Sequence, residues 1–256
     1  MITGSAANVN KDASVWRLVP WIEGTGAQQM AIDSWLLDQH VQGAQPSILR
    51  FYTWASPTLS LGYHQRQFPS HWNTLCWQGQ QIDKVRRPTG GRAVLHQGDL
   101  TYAIITSARK GASRRETYQR LCQFLISGWQ SLGVALDFGM AGRGYIKNPN
   151  CFGTATAADL VMEDGYKLIG SAQVYREGCV LQHGSIRLNT DAALYEQVFQ
   201  EKLLPPKLPQ PLRTPSGKHD VIEALVEAAQ HDFGVSFCSE ALTIAEREAV
   251  QAHASV

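Results

Sequence analysis

The stretch over residues 85–107 constrains this chain most: Val-Arg-Arg-Pro-Thr-Gly-Gly-Arg-Ala-Val-Leu-His-Gln-Gly-Asp-Leu-Thr-Tyr-Ala-Ile-Ile-Thr-Ser. Three arginines, Arg86, Arg87 and Arg92, surround a Thr89-Gly90-Gly91 turn. The chain then passes through Ala93, Val94, Leu95 and His96 into an apolar strand over 100–105. A Gly-Gly pair lets bare backbone N–H groups approach a ligand, because no Cβ intervenes. Arginines beside such a turn suit a phosphate or carboxylate through bidentate hydrogen bonds. On these residues alone, an anion site and a tight hairpin turn with solvated arginines both remain open.

Around this stretch, helix and strand patterns alternate irregularly. Residues 16–22 read as a short apolar strand, followed by the Thr25-x-x-Gln28 form of a capping box and a helix to about Val41. Its expected buried face is Ala27, Met30, Ala31, Ser34, Leu37 and Val41. Strands are expected over 48–54 and 58–63, the second ending in Tyr63-His64-Gln65 beside Arg87 if the two segments pair. Ser113-Arg-Arg-Glu116 is a second capping box, and Tyr118, Leu121, Cys122, Leu125, Trp129 and Leu132 keep helical spacing up to Gly133. After a strand over 134–138, the Asp164-Gly165 pair turns 159–162 into 167–175 as a hairpin. Segments 179–182 and 185–188 flank His183-Gly184 as a further hairpin or bend. A helix over 191–202 runs into a connection holding Pro205, Pro206, Pro209, Pro211 and Pro215, which continues neither helix nor central strand. Two more helical patterns follow, over 221–233 and about 240–252.

Composition narrows the partners. A net charge of +1 and 18% charged residues give no global field for nucleic acid or membrane, so electrostatic recognition must be local. Apolar runs are far too short to span a bilayer. Residues 1–14 lack the basic and then apolar pattern of a signal peptide, which suggests a frayed tail on a cytoplasmic protein. The five cysteines, Cys76, Cys122, Cys151, Cys179 and Cys238, show no C-x-x-C pair and no zinc spacing, so neither a disulfide framework nor a metal is indicated. Cys122 falls on the apolar stripe of its helix and is read as core. Cys151 follows a basic, Gly-rich loop ending in Asn148-Pro149-Asn150, a position that suits reactivity as well as packing.

A second stretch, residues 165–188, sets Lys167 just before Gly170-Ser171-Ala172, whose small side chains leave a groove. Lys167 at its edge can reach a carbonyl oxygen, and can equally be a solvated strand residue. Taken together, Arg-Arg-x-Thr-Gly-Gly-Arg-Ala-Val-x-His, Gly-x-Lys-x-x-Gly-Ser-Ala-Gln and Leu-Gln-His-Gly-Ser-Ile resemble the biotin/lipoate protein ligase superfamily over about residues 16–188. That resemblance implies an α+β fold: a large mixed, mainly antiparallel sheet, a smaller sheet and flanking helices. It also implies one catalytic domain over 1–256, with a core of about 16–200, the proline-rich connection 205–215 and C-terminal helices over 218–254.

Within the superfamily the chain is most similar to single-domain octanoyl-[acyl carrier protein]:protein N-octanoyltransferases. Ligases resembling it carry a third glycine where Arg92 stands, whereas Cys151-Phe152 matches the transferases' catalytic Cys-Phe. The chain departs from the transferase pattern at Thr154-Ala-Thr156 and Ala158-Asp159. The resemblance implies that Cys151 is the nucleophile and Lys167 binds the carbonyl. Substrate contacts are then expected from Tyr63, Arg87, Thr89, Gly90, Gly91, Arg92, Ala93, His96, Gly170, Ser171, Ala172, His183 and Gly184. The histidines are either proton carriers or structural hydrogen-bonders. The implied donor is octanoyl-acyl carrier protein, and the acceptors are lipoyl-domain proteins or the glycine-cleavage H protein, with no nucleic acid, membrane or metal involved. No cofactor is needed, since a thioester is already activated; ATP and Mg would enter only in a lipoate ligase. Leu61, Tyr63 and Ala172 are expected to shape a slot for the acyl chain, where six methylenes at about 0.8 kcal/mol each give roughly 5 kcal/mol. The alternatives are an ATP-dependent lipoate-protein ligase, a lipoyl/octanoyl amidotransferase and a non-catalytic lipoyl-domain binder.

Overall fold

In the computed structural model, residues 14–139, 158–214 and 216–254 are described. Cys151, with the departures at 154–156, lies outside them. Strand β1 (Val15–Gly24) leads into helix α1 (Gly26–Val41), whose N-terminus is closed by both halves of the expected capping box: Thr25 accepts from Gln28 N–H while the Gln28 side chain accepts from Thr25 N–H. Then come β2 (Ile48–Trp54), β3 (Thr58–Leu61), the small hairpin β4 (Cys76–Trp77) and β5 (Gln80–Gln81), β6 (Asp83–Arg86), β7 (Val94–His96) and β8 (Asp99–Ser107). Helix α2 (Arg114–Ser131) also starts on its expected capping box, Ser113 with Glu116. It is followed by β9 (Leu136–Phe138), β10 (Asp159–Met162), β11 (Lys167–Arg176), β12 (Cys179–Arg187), α3 (Ala192–Phe199), α4 (Gly217–Phe233), β13 (Ser236–Ser239) and α5 (Ile244–Ala254).

Eight strands form one sheet in the order β13-β1-β2-β8-β12-β11-β10-β9, and β6-β3-β7 form a smaller one. Only the β13–β1 and β1–β2 pairs of the large sheet are parallel. All other pairings in it are antiparallel. This is the mixed, mainly antiparallel α+β architecture expected. Pro20 fits inside β1 because the register shifts between Val19 and Ile22, where its missing N–H breaks no ladder bond.

Alternation along β8 divides the core. Leu100, Tyr102 and Ile104 face the layer built by α2 and α4, with Leu121, Phe124, Leu125 and Trp129 fully buried there. Ala103 and Ile105 face α1, and α5 packs behind. A third cluster joins the small sheet to α3.

Several expectations are corrected. His183-Gly184 is no bend: β12 runs unbroken through it, paired residue by residue with β8 and β11. The glycine serves close approach, since a Cβ on Gly184 would stand 2.7 Å from the Tyr102 ring and would also strike the Ser171 hydroxyl. On α1, Ala27 is exposed and Ser34 and Val41 are half-buried, whereas Gln29 and Asp33 are fully buried. The strand at 58–63 stops at Leu61, and α3 stops at Phe199, where Gln200 takes a left-handed conformation with φ 56. The strand β13 was missed; it extends the sheet in the gap between the last two expected helices. No helix among the described residues is long and apolar enough to cross a membrane.

Candidate functional site

The Gly90-Gly91 turn is not a hairpin turn. Strands β6 and β7 flank β3 on opposite sides, β6 parallel and β7 antiparallel to it, so the loop between them crosses the end of β3. Gly62 lies beneath that loop, and any Cβ there would collide with the Gly91 carbonyl. Tyr63 N–H donates to Thr89 O at 2.9 Å and Arg87 N–H to Leu61 O at 3.0 Å, so Tyr63 does lie beside the Arg87 turn, as expected if the segments paired. The arginines differ: Arg86 is exposed, Arg92 half-buried and Arg87 buried. Arg87 donates to the carbonyls of Ser60 (2.7 Å), Gly90 (3.0 Å) and Arg92 (2.6 Å). Arg86 donates to the carbonyls of Gly62, Tyr63 and Gln65. The Arg87 guanidinium builds the turn from inside, and that of Arg86 holds it from the solvent side.

Between this turn and the large sheet lies a cavity of about 450 Å³, counting its open mouth. Ser60, Arg87, Gly91, Val94 and His96 form one wall; Thr101, Gly170, Ser171, Ala172, His183, Gly184 and Ser185 form the other. Met30, Tyr52 and Trp54 close it with apolar surface.

Two buried hydroxyl–imidazole–carboxylate chains stiffen these walls. In the first, Ser60 Oγ lies 2.8 Å from His96 Nε2, and His96 Nδ1 lies 2.8 Å from Asp99 Oδ2. Asp99 Oδ2 acts as an acceptor toward Thr101 and Ser185 as well, which assigns the hydrogen to Nδ1 and leaves Nε2 to accept from the Ser60 hydroxyl, whose oxygen in turn accepts from Arg87. Burial holds the His96 pKa below its ordinary value, against the opposing pull of Asp99. The Trp54 ring stacks on the imidazole at 3.8 Å, and its indole N–H donates to Thr101. Thr101 and Ser185 donate to the same Asp99 oxygen.

In the second chain, Thr89 Oγ1 lies 2.7 Å from His183 Nε2 and His183 Nδ1 lies 2.8 Å from Asp33 Oδ2. Asp33 also accepts from Tyr52 OH at 2.9 Å and pairs with Arg50 at 2.8 Å, both charged side chains being fully buried. Burial alone raises a carboxyl pKa, but Arg50, His183 and Tyr52 outweigh it and leave Asp33 below the usual range. The expected residues Thr89, His96 and His183 are thus brought together, with all four imidazole nitrogens engaged.

Lys167 is buried, not a solvated edge residue. Its Nζ lies 2.8 Å from Asp159 Oδ1. Pairing passes from Leu160–Ile169 to Val161–Lys167, so Leu168 is an extra residue. That bulge turns Lys167 onto the face it shares with Asp159 and Gly170, the face on which Ala172 and His183 line the cavity. Lys167 itself does not line the cavity. Nor does Ala93, which packs in the small-sheet core, or Tyr63, which is 57% exposed. Leu61 is likewise in that core, leaving Ala172 as the one expected slot residue on the cavity wall. Gly90 leaves open space where a Cβ would be, and Arg92 is half-buried, offering its carbonyl to Arg87. Cys122 is core as expected; burial pushes its thiol up to about 12. Among the described residues, no cluster of His, Cys, Asp or Glu suits a metal ion.

Sequence reasoning missed Met30, Asp33, Arg50, Tyr52, Trp54, Ser60, Asp99, Thr101 and Ser185. For Asp33 and Arg50 a signal existed: opposite charges at core positions of an apolar helix and an apolar strand.

A family profile for the lipoyl protein ligase A/B catalytic domain matches residues 25–234. Among curated relatives, octanoyltransferase LipM of Carboxydothermus hydrogenoformans is 33% identical over 91% of this chain and 92% of its own. Octanoyltransferase LipM of Kyrpidia tusciae is 34% identical over 92% and 93%. Among solved structures, lipoate-protein ligase A bound with ATP shares the fold with a TM-score of 0.72 at 19% identity, covering 94% of each chain. A bipartite lipoate protein ligase from Thermoplasma acidophilum gives a TM-score of 0.68 at 19% identity, covering 94% of this chain and 92% of its own. The profile spans most of the sequence and the two curated relatives align along nine-tenths of their length, so this chain belongs to the lipoyl protein ligase A/B catalytic domain family.

Proposed function

We propose that this chain is an octanoyltransferase of lipoate biosynthesis, moving an octanoyl group from octanoyl-acyl carrier protein to a lysine of a lipoyl domain or the glycine-cleavage H protein. The observation that carries the reading is the identity of about one third to two octanoyltransferases, sustained over more than 90% of the chain. The cavity supports it, being apolar at Met30, Val94 and Trp54 and lined by the small residues Gly170, Ser171 and Ala172 on the strand that bears Lys167.

The chemistry runs through two thioester steps. The Cys151 thiolate attacks the octanoyl carbonyl carbon, a C–S bond forms, and the carbonyl electrons move onto oxygen. The ammonium of Lys167, oriented by Asp159, steadies that oxyanion before the carrier's thiolate leaves. The acceptor lysine's neutral amine then attacks the Cys151 thioester; the amide forms, the amine's proton is lost, and Cys151 departs as thiolate. His96 and His183, with every ring nitrogen engaged, hold the walls around this chemistry. No step consumes ATP, and Arg87, committed to its own turn's carbonyls, is poorly placed to hold a triphosphate.

The test is transfer of labelled octanoyl from the carrier protein to an apo lipoyl domain without nucleotide. Product formation supports the reading. Failure there, together with lipoate-dependent exchange of pyrophosphate into ATP, would assign the site to an ATP-dependent lipoate ligase instead.

A further inference from the structure

Residues 109–120, between β8 and the first turns of α2, hold five of the chain's 23 lysines and arginines but one of its 22 acidic residues. The five are Arg109, Lys110, Arg114, Arg115 and Arg120. With a net charge of only +1, the chain concentrates its cations here and is net acidic elsewhere. Arg109, Lys110, Arg114 and Arg115 are exposed and Arg120 is half-buried. Among the described residues none of the five forms an ion pair. Glu116, the one acidic residue, accepts from Ser113 N–H in the capping box. Arg114 and Arg115 are the first two residues of α2, the end where the helix dipole disfavours cations, so helix stability does not account for them.

The patch adjoins the strands that carry Lys167 and Asp159, from the α2 side of the sheet. The Arg114 guanidinium lies over the Tyr175 ring at 5.0 Å. Tyr175 is three residues along β11 from Ala172 of the cavity wall, about 10 Å at ~3.3 Å per residue, and faces the α2 layer on the other side of the sheet. Tyr118, one helical turn beyond Arg114, donates its hydroxyl to the carbonyl of Ala158, the residue before the Asp159 that pairs with Lys167.

We propose that this arginine-rich face is the docking surface for the acidic face of the protein that delivers the acyl thioester. The proposal rests on the transferase reading. A carrier held here by charge places a flexible thioester arm within reach of the cavity mouth. Arg87 of the Gly90-Gly91 turn cannot do this, being buried and occupied by backbone carbonyls. A nucleic-acid strand is a poorer fit, because the cations form one compact cluster instead of a track, and the remaining surface repels phosphates.

The test compares R114E/R115E with K202E/K207E, an equal charge change on exposed lysines elsewhere. Glutamate in the first helical turn is favourable to the dipole, so R114E/R115E is expected to fold, and thermal melting checks it. For octanoyl-carrier protein at low salt, kcat/KM of R114E/R115E falls by about 10–100-fold, and the gap closes as salt rises. With octanoyl-pantetheine as donor the same variant matches wild type, and K202E/K207E matches wild type with both donors. Equal losses with both donors, an equal loss in K202E/K207E, no loss at all, or a raised KM for the lipoyl-domain acceptor would each overturn the assignment. An enzyme inactive with either donor would remove the transferase reading. Anisotropy of labelled octanoyl-carrier protein then decides the surface alone: binding weakened in R114E/R115E supports it and binding retained rejects it.

Discussion

Asp33→Asn tests the buried network behind the cavity. The native carboxylate meets three donor groups: Arg50 on Oδ1, and Tyr52 and His183 on Oδ2. An amide keeps one acceptor oxygen and presents N–H groups on the other side. In either orientation it therefore faces Arg50, or both Tyr52 and His183, donor against donor. It also leaves the fully buried guanidinium without its counter-charge. Breaking a buried pair from one side costs about 3–5 kcal/mol. Arg50 retains Gln29 as a partner and packs on the Tyr52 ring at 4.2 Å, so about 3 kcal/mol is expected. At roughly 2–4 °C per kcal/mol for a chain of this size, Tm falls by about 6–12 °C at pH 7. The native contribution is present above the ordinary carboxylate pKa and is lost as pH falls through the depressed folded value, so the variant's Tm declines less steeply in acid. Replacing both charges, D33A/R50M, restores much of the Tm, because no unpaired charge remains, yet leaves transfer impaired, since His183 has lost its anchor. Calorimetry and the transfer assay on the two variants decide it. A Tm for Asp33→Asn within about 2 °C of wild type, or full activity in D33A/R50M, would refute the reasoning.

Ala172→Leu puts three more carbons on the cavity wall; excluding about three methylenes costs roughly 2 kcal/mol, or some 30-fold in kcat/KM for octanoyl, while shorter chains lose less. Unchanged chain-length preference would place the acyl chain elsewhere. Arg17, buried in β1, holds both carboxylate oxygens of Glu246 and depresses that pKa to about 2. Stability from this pair is complete above about 4.5 and disappears as pH falls toward 2, so Glu246→Gln lowers Tm at pH 7 and flattens the acid limb of a Tm–pH profile. Alkylation of the native protein at pH 8 labels exposed Cys76 and Cys238 and spares Cys122, as peptide mapping will show; rapid labelling of Cys122 would mean the core opens.

Much of the fold was legible because local signals agreed. Both capping boxes formed, and Gly165 and Gly133 took the left-handed conformations that their positions require, with φ 80 and 78. Gly184 misled because glycine breaks local patterns in the same way whether it turns a chain or lets two strands approach closely. The motif residues Thr89 and His183 were found, but not their partners Asp33 and Arg50. A buried charge pair is specified by a helix and a strand meeting in space, which spacing along one segment does not reveal. Arg87 of the Gly-Gly turn was misjudged for a related reason. Composition identifies a guanidinium, but only the crossing of β3 by its loop shows that carbonyls already occupy it.

The account depends most on a covalent acyl group passing through Cys151. Mass spectrometry of the intact protein after brief exposure to octanoyl-acyl carrier protein measures this directly. Wild type gains one octanoyl group, released by hydroxylamine and discharged onto an apo lipoyl domain, and Cys151→Ser gains no thioester. An unmodified wild-type protein that still transfers octanoyl, or a transferable thioester that persists in Cys151→Ser, would contradict it.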